Sequence, residues 1–180
     1  MMQIEQEFVY PAAASLCAVV GAAFDVKSRR VPNLLTGPAI VGGLVLHLSL
    51  GGWGELGSSF AAGLICGLVF LIFYLAGGMG AGDVKLIAAV GCLCGLHDVP
   101  FLLALTGISG GVMAVCLALA HGRLKQTFLN VVALVSHHGS EGLTPHPELN
   151  VRNTSTLRLP YALAIFAGCA LTFVLQGVQR

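Results

Sequence analysis

Leu71-Ile72-Phe73-Tyr74-Leu75-Ala76-Gly77-Gly78-Met79-Gly80-Ala81-Gly82-Asp83-Val84-Lys85-Leu86-Ile87 decides how this chain folds. An apolar run ends in the glycines 77, 78, 80 and 82, a carboxylate follows, and a second apolar run begins. The pattern predicts two membrane-crossing helices joined by irregular backbone, since about 20 apolar residues cover a hydrocarbon core about 30 Å thick. Backbone of that kind is acceptable at membrane depth only where it lines a cavity or is buried in protein. A carboxylate there is tolerated mainly when it faces water or a partner.

Working outward, further apolar runs occupy about residues 8–24, 34–50, 58–76, 84–97, 99–120 and 159–178. The chain is 180 residues long, 56% hydrophobic and only 9% charged, with a mean hydropathy of +0.88. These values exclude an ordinary soluble domain and predict an all-α, polytopic integral membrane protein with about six transmembrane helices in a lipid bilayer. Residues 1–180 read as one membrane-embedded domain. The N-terminus has Glu5 and Glu7 and no early basic residue, unlike a secretory signal, so the first helix is expected to be retained. A formal net charge of +1 gives no field to attract nucleic acid.

Basic residues set the orientation, because short loops rich in Lys and Arg stay in the cytoplasm. Lys27, Arg29 and Arg30 fall in the first loop, Lys85 in the third, and Arg123, Lys125, Arg152 and Arg158 in the fifth. The intervening loops, 51–57 and 97–98, carry Glu55 and Asp98 without Lys or Arg. Both termini are therefore expected outside, with Asp25 and Asp83 at the cytoplasmic ends of helices one and four. The fourth helix, Val84 to His97, spans only about 21 Å at about 1.5 Å per residue, so its inner end with Asp83 should sit below the membrane surface.

The long polar segment 121–158 reads as a cytoplasmic loop. Its first half, Arg123 to Ser136, alternates polar and apolar residues as an interfacial helix does, and His137 to Thr156 reads as flexible. Pro32 is suited to opening helix two. Gly37, Gly42, Gly43, Gly63 and Gly67 read as helix-packing positions. Six cysteines lie within apolar runs, where they behave as small hydrophobes, and no metal or other cofactor is expected.

Asp25 alone reads as an interfacial residue beside Lys27 and Arg29, and Asp83 alone as a helix cap. Together, on one side of the membrane, they can share a proton and a water, with one carboxylate ionised as base and the other protonated as acid. Gly80 and Gly82 would allow an extended backbone to approach. Lys85 is expected to anchor its helix at the headgroups. A different reading of the same pair is a small proton- or cation-coupled transporter, although carrier sites tend to lie near the bilayer midplane.

Gly80-Ala81-Gly82-Asp83 resembles the GxGD signature of intramembrane aspartyl proteases. Its setting, residues 78–86, is similar to that of the prepilin peptidases of type IV pilus and type II secretion systems. Asp25 followed by Arg29, Arg30, Val31, Pro32 and Asn33 resembles the first catalytic segment of that family, and Leu159 to Ile165 resembles the start of its last helix. The resemblance implies that Asp25 and Asp83 are the catalytic pair of a protease in the bacterial inner membrane. The implied substrate is a prepilin or pseudopilin precursor, cut after a short basic leader. Larger members carry a further region with paired CxxC motifs linked to N-methylation. No such motif occurs in these 180 residues, so the expected likeness is to the short Flp/Tad-type enzymes without methyltransferase activity. Oligomeric state is not specified by the sequence.

Overall fold

In a computed structural model, which describes residues 2–142, 144 and 159–178, the chain is helical throughout its regular elements. The order is α1 (Met2–Ser28), α2 (Asn33–Leu75), α3 (Ala81–Cys94), a 3₁₀ turn (Leu96–Asp98), α4 (Val99–Ala120), α5 (Leu124–Glu141) and α6 (Tyr161–Val178). Three helical stretches, Phe8–Ser28, Asn33–Leu75 and Leu96–Ala120, are long and apolar enough to cross a membrane, and α6 adds a shorter apolar helix. The fold is that of an all-α membrane protein.

The 43 residues of α2 hold the second and third apolar runs, and they fold back on themselves. Gly52 breaks the helix with φ +77° and ψ −163°, a conformation essentially confined to glycine. Gly43 and Gly63 both abut Cys92 of α3, yet twenty residues of straight helix would separate them by about 30 Å. His47 and Ser59, on opposite sides of the break, likewise reach the carbonyls of Leu93 (3.2 Å) and Cys92 (2.6 Å). The expected 51–57 loop is thus a one-residue kink, and α3 lies between the two arms it creates.

α3 is the central element. Leu86, Ile87, Ala89 and Val90 are fully buried, and its apolar character on all sides matches a helix surrounded by protein. Close approach depends on small residues, since lipid tails offer no hydrophobic drive for helix association and packing must supply it. A Cβ on Gly21 of α1 would lie 2.6 Å from Leu86, and one on Gly91 would lie 3.0 Å from the Ala62 carbonyl. Of the glycines at 37, 42 and 43, only Gly43 is pressed against a neighbour. Gly37 and Gly42 face open space. On the other side, α4 and α6 run antiparallel, with Thr106 against Gly168 and Gly110 against Ala164.

α2 ends in a left-handed glycine cap. Gly77 has φ +78°, and the Gly78 N–H donates to the Phe73 carbonyl (2.9 Å), which satisfies a carbonyl the helix leaves over. α3 begins at Ala81, three residues before the sequence pattern suggests, so Gly82 and Asp83 lie inside its first turn. Its length is still 14 residues. α5 continues through His137 to Glu141, with His138 donating to the Leu134 carbonyl (2.7 Å). Most of the segment expected to be flexible, His137 to Thr156, lies outside the described residues.

Candidate active site

Asp25 occupies the last turn of α1. The helix closes just beyond it: the Arg29 N–H donates to the Asp25 carbonyl (2.8 Å), and the Ser28 hydroxyl to that of Phe24 (2.8 Å). Arg29 is left-handed (φ +52°), unusual for a residue with a side chain and costing about 1–2 kcal/mol. That turn sends the chain across the bundle end instead of away from it. Val31 is buried, and Pro32, extended at φ −70° and ψ 140°, takes the N-cap of α2, one place before its first helical residue. Asn33 then opens the helix and accepts a hydrogen bond from the Lys85 ammonium of α3 (2.9 Å). Lys85 therefore ties the start of α2 to the start of α3.

Asp83 is buried, at 9% exposure, in the first turn of α3. Its Oδ2 accepts the Gly80 N–H (3.3 Å), and its own N–H donates to the Gly80 carbonyl (3.2 Å). Gly80 and not Asp83 takes the N-cap; Asp83, at the third helical position, turns its carboxylate back to the N-cap N–H, as the N3 acid of a capping box does, while still bordering a cavity. A Cβ on Gly82 would touch Val31 at 3.4 Å, so Gly82 is where the first loop rests on α3. The side-chain space of Gly80 lies instead beside the Asp83 carboxylate.

Both aspartates line one cavity of about 300 Å³, bordered by Arg29, Arg30, Asn33, Gly80, Gly82 and Lys85. At about 30 Å³ per water the space admits about ten. The two carboxylates lie within electrostatic reach of each other. They also border a larger groove of about 1290 Å³ between α2, α4, α5 and α6. Such an arrangement can hold one proton and one activated water between two acids.

Two contributors come from the stretch Leu159 to Ile165, whose sequence marks a helix start but no role at the site. The backbone N–H of Ala162, in the first turn of α6, interacts with the Asp25 carboxylate, where the positive end of a helix dipole favours an anion. Tyr161 lies within electrostatic reach of Asp83. A backbone donor has no residue-type signature. The Pro160-Tyr161 helix start was the available hint. Among the described residues no three His, Cys, Asp or Glu side chains are grouped as a metal would require.

Residues 12–115 match the type IV leader peptidase family, a segment that includes both aspartates. The chain is similar to the prepilin leader peptidase/N-methyltransferase of Aeromonas hydrophila, with 35% identity over 102 residues, 53% of this chain and 35% of that protein. It resembles the protein of the same description from Burkholderia pseudomallei at 33% identity over 126 residues, 63% of this chain and 39% of that one. The Neisseria gonorrhoeae protein of that description is 35% identical over 107 residues, 55% of this chain and 37% of its own length. The matched region thus spans well under half of these relatives. No solved structure matches the chain. With the match extending over more than half of its residues, this chain belongs to the type IV leader peptidase family.

Proposed function

We propose that this protein is an aspartic endopeptidase that removes the short basic leader of a prepilin or pseudopilin precursor at the cytoplasmic face of the bacterial inner membrane. The observation that carries the reading is the meeting of Asp25 and Asp83, distant in sequence, on one cavity at one end of the bundle. The ionised carboxylate takes a proton from water as its oxygen attacks the scissile carbonyl carbon, and the protonated carboxyl donates to the carbonyl oxygen. Collapse of the tetrahedral species breaks the C–N bond. The carboxyl that took the water's proton gives it to the leaving amine, its partner recovers the proton from the oxygen of the tetrahedral species, and the water oxygen remains on the leader's new carboxyl group. Arg30, Pro32 and Asn33 hold the first loop in place, and Lys85 positions it through Asn33. Gly80 leaves room for the substrate backbone.

The distribution of Lys and Arg supports placing the aspartate end in the cytoplasm and both termini outside. By the same reading, segment 121–158 is cytoplasmic and α5 lies at the interface. These 180 residues are proposed to hydrolyse without methylating the product.

The test is co-expression of a candidate precursor with the wild type, Asp25→Asn and Asp83→Asn, followed by gel mobility and mass of the product. Wild type should shorten the precursor and leave an unmethylated terminus. Each variant, inserted to the same level, should process at least about 100-fold more slowly, the usual reach of acid–base catalysis. Processing at the wild-type rate by either variant would exclude the dyad.

A further inference from the structure

The groove beside the carboxylates has one wall that the chain itself leaves open at Gly107 and Gly111. α4 carries two stripes with the same i, i+4, i+7, i+11 spacing, offset by one residue. Ile108, Val112, Val115 and Leu119 form one, each at least half exposed, as side chains facing lipid are. Gly107, Gly111, Ala114 and Ala118 form the other and line the groove. A Cβ on Gly107 or Gly111 would meet nothing within 4 Å, whereas the neighbouring Gly110 already packs on Ala164 at 3.6 Å.

Glycine within a helix costs about 1 kcal/mol relative to alanine. The usual return is close approach of another helix, and small residues four apart are what such approach requires in lipid. Lipid tails make no such demand, as the bulky adjoining stripe illustrates. No helix of the described residues uses Gly107 or Gly111.

The groove is also continuous with the proposed chemistry, because Asp25 and Asp83 border it at the end where α4 finishes and α6 begins. From Ala118 back to Leu103 it follows α4 for about 22 Å at about 1.5 Å per residue. Whatever fills it lies against an apolar wall for several helical turns and emerges at the two carboxylates.

We infer that this groove seats the apolar helix of the precursor, with Gly107 and Gly111 as the contact face that sets the scissile bond against Asp25 and Asp83. The inference rests on the peptidase reading and adds to it the surface that recognises the substrate.

Two measurements test it. Gly107→Leu and Gly111→Leu should slow precursor processing at least about tenfold, as losing ~1.4 kcal/mol of binding would. Gly42→Leu, at a glycine that also faces open space but lies outside the groove, should process as wild type. In the second measurement, a precursor with a photoreactive leucine analogue in its apolar helix is irradiated with the Asp83→Asn protein. Adducts should map to the groove-lining residues of α4, α5 and α6, and Gly111→Leu introduced into that protein should diminish them. Wild-type processing by both leucine variants overturns the inference, as do adducts confined to the Ile108–Leu119 stripe, to another copy of the chain or to lipid. Should a leucine variant fail to fold, the adduct map of the Asp83→Asn protein decides. Inactive aspartate variants beside fully active leucine variants would reject the groove alone, and active aspartate variants would reject the peptidase reading itself.

Discussion

At the scale of single residues, Asp83 combines two roles that its neighbours let us separate. Its carboxylate accepts the Gly80 N–H, and it borders the cavity shared with Asp25. An asparagine keeps an acceptor oxygen for that N–H but has no acid–base function. We therefore expect Asp83→Asn to unfold within about 0.5 kcal/mol of wild type while losing activity, and Asp83→Ala to lose activity and about 0.5–1.5 kcal/mol of stability, the net worth of the one hydrogen bond it removes. Equilibrium unfolding in detergent checks both, and equal stability losses would show that the cap contributes nothing. The pair itself was legible in the sequence, because carboxylates next to apolar runs need a reason to be there. The Ala162 N–H beside Asp25 was not legible, since every residue except proline carries the same donor.

At the scale of elements, the two arms of α2 were readable as two apolar runs, but the nature of the break between them was not. The stretch 51–57 holds four glycines in this sequence, and only Gly52 has the conformation that turns the chain. Gly52→Ala should cost about 1–3 kcal/mol, because a side chain is forced into a region open essentially to glycine alone. Gly54→Ala, two residues on, lies within helix and in open space, and should stabilise by up to about 1 kcal/mol. Thermal unfolding of the two purified variants measures the contrast, and shifts of the same sign would contradict it. The packing glycines teach the same lesson. Gly37, Gly42 and Gly43 look alike as letters, yet only at Gly43 would a side-chain Cβ run into another backbone, 2.9 Å from Cys92. Which side of a helix faces protein depends on the bundle, and an apolar run that is hydrophobic on every side does not announce it.

At the scale of the whole molecule, the site is assembled from both halves of the chain. The family match stops at residue 115, while the last wall of the site comes from α6. A protein ended after Ala120 should insert into membranes and retain both aspartates, but fail to process the precursor. Membrane fractionation with the gel assay reads this directly, and full activity would show that α6 is dispensable.

The fold-back at Gly52 also bears on how the protein is made. Its two arms are able to enter the bilayer together as a pair during synthesis, and the segment from Asn33 to Leu75 includes a single acidic side chain, Glu55. That acid lies 3.3 Å from the imidazole of His47 on the same segment. The imidazole gives that acid a hydrogen-bonding partner within its own hairpin, whereas a lone acid carried through the centre of the bilayer costs about 2.5–3.5 kcal/mol on insertion scales. In the proposed orientation, the tip of the hairpin brings its own partner across.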